Sequence, residues 1–329
     1  MPLLSKCDLR CVSYFESGGG RREAPACKIL GGVLVSRKKK VLRTLEPYVW
    51  ISPSIILMSI FIGIPIFYVF KMSMSKITKA GQIKGFIGFE NFSDVLGTPA
   101  FGLVLKNTVV WTICVVVLST VLGFILALLL NNEFKGRKIA RAIVVFPWAT
   151  TLVIQASVWN FIINTDYGAL NTLLKNLGII SSNINWTPTP EAYFAWEIAC
   201  GIFVTIPFVC FTTLSGLQSI DNSLYEAATV DGANYWQKLF RITIPLVKPS
   251  LTVATVLNII YVFNSFPIVW IMTKGDPANR TDTLVTYLYK LAFYNGKQGQ
   301  AAAVSVIGFL ILLVCASIYM FSTLKKGDD

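Results

Sequence analysis

Residues 107–130 read NTVVWTICVVVLSTVLGFILALLL, and none of them is charged. A helix needs about 20 consecutive, mostly apolar residues to cross a hydrocarbon core about 30 Å thick, so this block is long enough to span a membrane. Five more blocks of the same kind lie at 48–70, 142–163, 193–217, 251–272 and 301–324. Inside lipid the backbone has to satisfy its own hydrogen bonds, which makes each block a helix. The expectation is an all-α polytopic membrane protein with six transmembrane helices. Composition agrees: 54% of the 329 residues are apolar and 14% are charged, against about 25% charged in an average soluble domain. Mean hydropathy is +0.62. Helices buried in a large soluble core would carry polar stripes that these blocks lack.

Orientation follows from Lys and Arg, which stay on the cytoplasmic side of short loops. Nineteen of the 29 fall before the first block, in the second and fourth loops, and in the tail. Arg37, Lys38, Lys39, Lys40 and Arg43 form a basic segment within 35–47, and Lys135, Arg137, Lys138 and Arg141 crowd the second loop. The other ten are spread over the longer loops 71–106, 164–191 and 273–300. Both termini are therefore expected in the cytoplasm, including the short tail 325–329. The net charge of +12 then marks a face next to anionic lipid and calls for no nucleic acid.

Residues 1–34 are unlike the rest, with Cys7, Cys11, Cys27 and a Gly18-Gly19-Gly20 run but no helical period. They read as disordered or as a non-native extension, Val35-Ser36-Arg37 offering an alternative start. Cys114, Cys200, Cys210 and Cys315 lie within apolar blocks, where cysteine is an ordinary small hydrophobe. There is no histidine, which removes the commonest general base and zinc ligand. No metal site, cofactor or catalytic group is expected in this chain.

The fourth loop, 218–248, contains SIDNSLYEAATVDGANYWQKLFRITIP at 219–245. It reads as two short helices around a glycine turn. Ser223 and Glu226 have the spacing of a capping box, and Ala227 and Ala228 favour helix with little bulk, so that another surface can approach. Gly232 suits the left-handed residue that ends a helix. Tyr235, Trp236, Leu239 and Phe240 form an apolar face, and Pro245 marks a break before the fifth block. An exposed helix pair with such a face wants a partner groove.

This loop resembles the EAA motif, EAA-x3-G-x9-I-x-L-P, of binding-protein-dependent ABC importer permeases, with Ile244 in place of the Leu. The likeness runs over about 45–325 and is specific to the sugar branch. Phe89-Glu90-Asn91-Phe92 is similar to that branch's G-x-x-N-F element. Phe263-Asn264-Ser265-Phe266 and Thr273-Lys274-Gly275-Asp276-Pro277 are similar to its F-x-x-F and L-T-x-G-G-P elements, with Asp276 replacing the second glycine. The 281–293 stretch TDTLVTYLYKLAF and Ala301–Val306 complete the likeness to maltose-type and glycerol-phosphate-type permeases. The resemblance implies the type I ABC importer permease fold, with 48–324 as the permease domain. It implies a bacterial or archaeal cell membrane, a second homologous permease, two ATPase subunits and an extracytoplasmic sugar-binding protein. It also implies that Glu226 docks against a basic residue in the ATPase while Gly232 sets the bend. The chain has no G-x4-G-K-[ST] phosphate loop, so ATP and Mg would be bound by the partner ATPase.

Polar residues within lipid are costly unless they face an interior or a cavity. Gln155, Asn160, Thr205, Asn258, Asn264 and Ser265 are the candidates, with Trp148, Phe203 and Tyr261 as surfaces on which a sugar ring could stack. The resemblance points to Trp148 after Pro147, Phe203 and Thr205 before Pro207, and Asn264 and Ser265 as the carbohydrate contacts. The other use of such groups is to glue helices together. A gradient-driven carrier is the alternative function, and Glu197 is its one candidate membrane carboxylate.

Overall fold

The computed structural model describes Tyr48 and residues 50–78 and 81–324. The expectations for 1–34, the basic segment 35–47 and the tail 325–329 lie outside the described residues. The chain divides at Ile64/Pro65 into two units. Helix α1, Trp50–Ser73, contains a π-turn at Ser59–Gly63. Its large apolar side chains up to Ile64 are exposed, as expected of a surface that lipid or another protein covers.

From Pro65 onward the chain is helical apart from one hairpin, β1 Ser75–Ile77 and β2 Ile83–Phe86. Ser75 pairs with Phe86 and Lys76 with Gly85, and a bulge follows Lys76. The G-x-x-N-F element has a structural task here. Gly88 takes φ +62°, and buried Asn91, in α2 (Glu90–Leu96), donates from Nδ2 to the Ser73 and Ser75 carbonyls at 2.9 and 3.0 Å. That side chain closes the base of the hairpin.

Three spans match expectation in kind: α3 Pro99–Asn131, α7 Pro190–Gln218, and α13 Gln298–Leu324. Two expectations are corrected. The third block is not one long helix, because α4 Arg137–Val145 and α5 Leu152–Ile163 are separated by a break around Pro147. Pro147 lacks an N–H to continue the ladder, and the chain turns over 146–149 before the next helix starts. Among the described residues, five helices are therefore long and apolar enough to cross a membrane, and Leu152–Ile163 is a shorter sixth. Nor does Pro245 break the chain. Helix α9, Tyr235–Lys238, continues through a π-turn at Leu239–Thr243 into α10, Ile244–Phe263. Pro245 comes just after the π-turn, where the α-helical ladder is already interrupted and Ile244 N–H reaches back to Leu239 O. The chain interrupts later, at Asn264–Phe266, before α11 (Pro267–Met272).

The core is built on α3 against α7, with α10 laid across them. Trp111 is the largest fully buried side chain. Its indole lies where a Cβ on Gly201 would come within 2.9 Å, and a Cβ on Gly123 would meet Val209 at the same distance. Glycines thus let the two backbones close, as small residues do where lipid offers no hydrophobic drive. Trp111 Nε1 donates to the Val262 carbonyl at 2.9 Å, which ties α10 to the pair.

Gly201→Leu should therefore overpack this contact at a cost of about 1–3 kcal/mol. We expect a lower thermal unfolding midpoint in detergent for Gly201→Leu. Gly102→Leu, in the same bundle with open space around it, should leave the midpoint unchanged.

Candidate functional site

The 218–248 loop folds as a rigid, exposed corner. Helix α8 is Asn222–Val230, and its cap is Asp221, whose side chain accepts from Ser223 N at 2.9 Å. The expected Ser223–Glu226 box is not formed. The helix starts at Asn222, so Ser223 already lies inside the first turn and Asp221 supplies the acceptor. The hydrogen bonds from Ser223 hold the Asp221 carboxyl below its ordinary range. Gly232 takes φ +76°. Its N–H donates to Thr229 O at 3.1 Å and Ala233 N to Ala228 O at 2.9 Å, the paired bonds of a Schellman ending. A capping box does exist at the second helix, where Asn234 and Gln237 exchange backbone and side-chain bonds of 2.8 Å each. The N-x-x-Q spacing was there to be read in the sequence. Lys238 Nζ reaches Thr229 Oγ1 at 2.7 Å, and Tyr225 OH meets Thr243 Oγ1 at 3.0 Å, so the two helices are braced.

This corner presents Glu226 and Ala227 to solvent, with Ala228 half-buried. Glu226 has no hydrogen-bond or ion-pair partner among the described residues. Tyr235, Trp236 and Phe240 are exposed and Leu239 is buried beneath them. The Trp236 and Phe240 rings stack at 6.1 Å. An uncompensated carboxylate beside exposed aromatics can dock a complementary protein surface.

The membrane part brings together some of the candidate binding residues and separates others. Trp148, Thr205 and Tyr261 line one cavity of about 310 Å³ with Asn258, Phe208 and Leu257. Trp148 reaches it from the break after Pro147, Thr205 from the turn of α7 before Pro207, and Asn258 and Tyr261 from one face of α10. Thr205 spends its hydroxyl on Gly201 O at 2.9 Å. Asn258 donates to Ser119 Oγ at 2.8 Å, and its buried Oδ1 has no partner among the described residues. Asn258 Oδ1 is thus an unspent acceptor held behind the cavity wall.

The remaining five lie elsewhere. Gln155 donates to the Pro147 carbonyl at 3.0 Å and to Thr150 Oγ1, which satisfies the backbone freed by the break. Phe203 packs edge-on to Trp159 at 5.9 Å. Asn264 bonds Ile260 O at 2.8 Å and faces a different cavity of about 280 Å³. Ser265 is buried, with no partner for its hydroxyl among the described residues. Asn160 bridges Ile271 O and Tyr193 OH, at 3.2 and 2.8 Å. Glu197 is wholly buried and accepts from Thr273 Oγ1 at 2.7 Å.

Asn234→Ala removes the bond that Asn234 Oδ1 accepts from Gln237 N, keeps the backbone half of the box, and should destabilise α9 by about 1 kcal/mol. We expect faster amide exchange confined to the first turn of α9. Ser223→Ala should leave exchange in α8 nearly unchanged, because its cap is Asp221.

Residues 119–324 match the family described as the binding-protein-dependent transport system inner membrane component. A probable ABC transporter permease protein of Brucella suis biovar 1 (strain 1330) is 46% identical over 278 residues, which cover 84% of this chain and 96% of that one. The trehalose/maltose transport system permease protein MalF of Thermococcus litoralis is 36% identical over 275 residues, 83% and 92% of the two chains. Among solved structures, the bacterial alginate ABC transporter in complex with alginate pentasaccharide-bound periplasmic protein shares the fold at TM-score 0.76. The identity there is 24%, with 88% and 97% of the chains covered. With its spans, its glycine-bent loop and the match over most of its membrane part, the chain belongs to the binding-protein-dependent transport system inner membrane component family.

Proposed function

We propose that this chain is the permease subunit of an ATP-driven, binding-protein-dependent importer of a sugar or oligosaccharide. The observation that carries the reading is the braced corner, with its unpaired Glu226 and Schellman glycine, at the foot of a membrane bundle of this family. The trehalose/maltose relative supports the sugar class. In this reading the 218–248 loop and both termini face the cytoplasm, where most Lys and Arg cluster. Glu226 docks in a cleft of a separate ATPase against a basic side chain, Ala227 and Ala228 allow close approach, and Gly232 and Pro245 shape the loop. Two ATPase subunits hold ATP and Mg, a second permease completes the pore, and an external binding protein delivers the sugar.

Transport is by alternating access and involves no covalent chemistry in this chain. ATP-driven closure of the ATPases moves the docked loops, and the membrane cavity turns outward to receive sugar. In that cavity Trp148 and Tyr261 offer ring faces, and Asn258 offers its buried acceptor when the wall opens. The gradient-driven alternative needs a carboxylate facing the path. Glu197 instead sits against Thr273, away from the cavity that holds Trp148 and Tyr261.

Glu226→Ala should leave the bundle intact and weaken ATPase docking by about 2–5 kcal/mol, because a buried basic partner loses its carboxylate. Gly232→Val strains a left-handed position and should keep partial association while uncoupling hydrolysis from uptake. Co-purification, ATPase rate and vesicle uptake report on these separately. Normal assembly and uptake in both variants would remove the coupling role.

A further inference from the structure

A second cavity, of about 530 Å³, lies away from the sites above, between the 273–283 loop, the start of α3 and the turn that leads into α13. One wall is aromatic. Trp270 and Tyr294 line it with ring centres 5.8 Å apart, and Tyr289 backs Trp270 at 4.8 Å. Phe266 stacks on Trp270 at 5.2 Å, so the indole is held in place. The remaining wall is polar and carries Lys274, Lys290, Lys297, Asn279 and Asn295, with the exposed carboxylate of Asp276 among them.

The loop carrying the polar wall is strained. Lys274, Ala278 and Asn279 take φ of 58°, 54° and 62°. Such residues cost about 1–3 kcal/mol each and persist where the surroundings over-determine them. Here they do. Lys290 Nζ bridges fully buried Asp282 at 2.8 Å and exposed Asp276 at 3.3 Å. Asn107 donates to the Arg280 and Asp282 carbonyls at 2.8 and 3.2 Å. Thr273 links to Glu197 and Thr281 at 2.7 and 2.6 Å. Gly275 has no room for a Cβ beside the Asp282 carboxylate. Burial raises the Asp282 carboxyl above its ordinary range and Lys290 opposes that rise. The two carboxylates outweigh Lys290, so the cavity's surplus positive charge comes from Lys274 and Lys297. Lys274 and Lys297 have no side-chain partner among the described residues.

An interfacial belt of aromatics would account for Trp270 and Tyr294 alone. It does not account for two unmatched ammonium groups and two amides opposite them, Lys274 and Asn279 on a locked, strained loop and Asn295 and Lys297 on the turn before α13. Ring faces suit the apolar face of a pyranose, amides suit its hydroxyls, and free ammonium groups suit a carboxylate. The volume lies in the range of small-ligand sites, about 300–1,000 Å³. We infer that this cavity is a subsite for a carboxylated pyranose, a uronic-acid unit of a saccharide, outside the membrane cavity. The inference rests on the sugar-import reading and narrows it.

The test uses the whole importer purified from its own host in lipid nanodiscs. It is titrated with digalacturonate and with its neutral counterpart galactobiose, followed by saturation-transfer NMR. Digalacturonate should bind about tenfold or more tightly than galactobiose, the worth of one charge-assisted bond. Lys274→Gln and Lys297→Gln should each remove about that factor for digalacturonate and leave galactobiose unchanged. Trp270→Ala should weaken both sugars, and Lys84→Gln, an exposed hairpin lysine, should weaken neither. Equal affinity for the two sugars, or lysine variants that bind digalacturonate normally, would overturn the assignment. So would loss of external binding-protein capture in the lysine variants without sugar binding, which makes the face a protein contact. Uptake of no saccharide despite digalacturonate binding would instead remove the import reading and leave the subsite standing.

Discussion

The fold hangs on the approach of α3 to α7, where Gly201 makes room for the Trp111 indole. Lipid gives no hydrophobic gain for bringing two apolar helices together, so contact has to come from close packing and from hydrogen bonds. Trp111 supplies both. It fills the gap and donates to Val262, a carbonyl in the last turn of α10. Carbonyls at a helix end lack intrahelical donors, and within a membrane an unmet one is expensive. Ser265 N also donates to Val262 O, at 3.1 Å, so the indole is a second donor there and ties the end of α10 to α3.

The same accounting explains the outer side. The 273–283 loop departs from the usual paired glycines at Asp276, and that carboxylate joins Asp282 on Lys290. Breaking such a half-buried group by removing one member leaves an uncompensated charge, which is costlier than the pair is stabilising. The loop is locked for that reason, while Thr108 accepts from Leu284 N at 2.8 Å to hold the next helix against α3. Rigid scaffold and unsatisfied surface lysines occur in one short stretch.

The spans were legible because hydropathy over 20 residues is a bulk property, and Gly232 was legible because only glycine adopts its conformation cheaply. Local accounting was less so. A break at Pro147 has two consequences, a shortened third span and a demand for donors, and Gln155 meets the demand. Read alone, Gln155 in an apolar block looked like a binding residue. Asn160 and Asn264 went the same way, since each finds a backbone carbonyl nearby. Asn258 differs only in that its Oδ1 is left over, which depends on where Ser119 lies 139 residues earlier. No spacing rule carries that. The Asp221 cap was missed for a smaller reason: Ser223 and Glu226 have the right spacing, and a helix start can shift by one residue when a neighbouring carboxylate competes.

How a loop and a cavity can communicate follows from the helix between them. From Phe240 to Asn258 the chain runs through the π-turn and α10 without interruption, about 27 Å at 1.5 Å per residue. Asn258 and Tyr261 lie on that helix and line the cavity. A displacement of the braced corner is thus delivered to the cavity wall by a nearly rigid rod. The π-turn at Leu239–Thr243 is the place where the rod can rewind, since such turns are local departures from the α-helical ladder. Tyr225 reaches from α8 to Thr243 at the end of that turn, so the helix bearing Glu226 is bonded to the pivot itself. Motion imposed on α8 would enter the rod through the Tyr225–Thr243 and Lys238–Thr229 bonds and reach the cavity at Asn258.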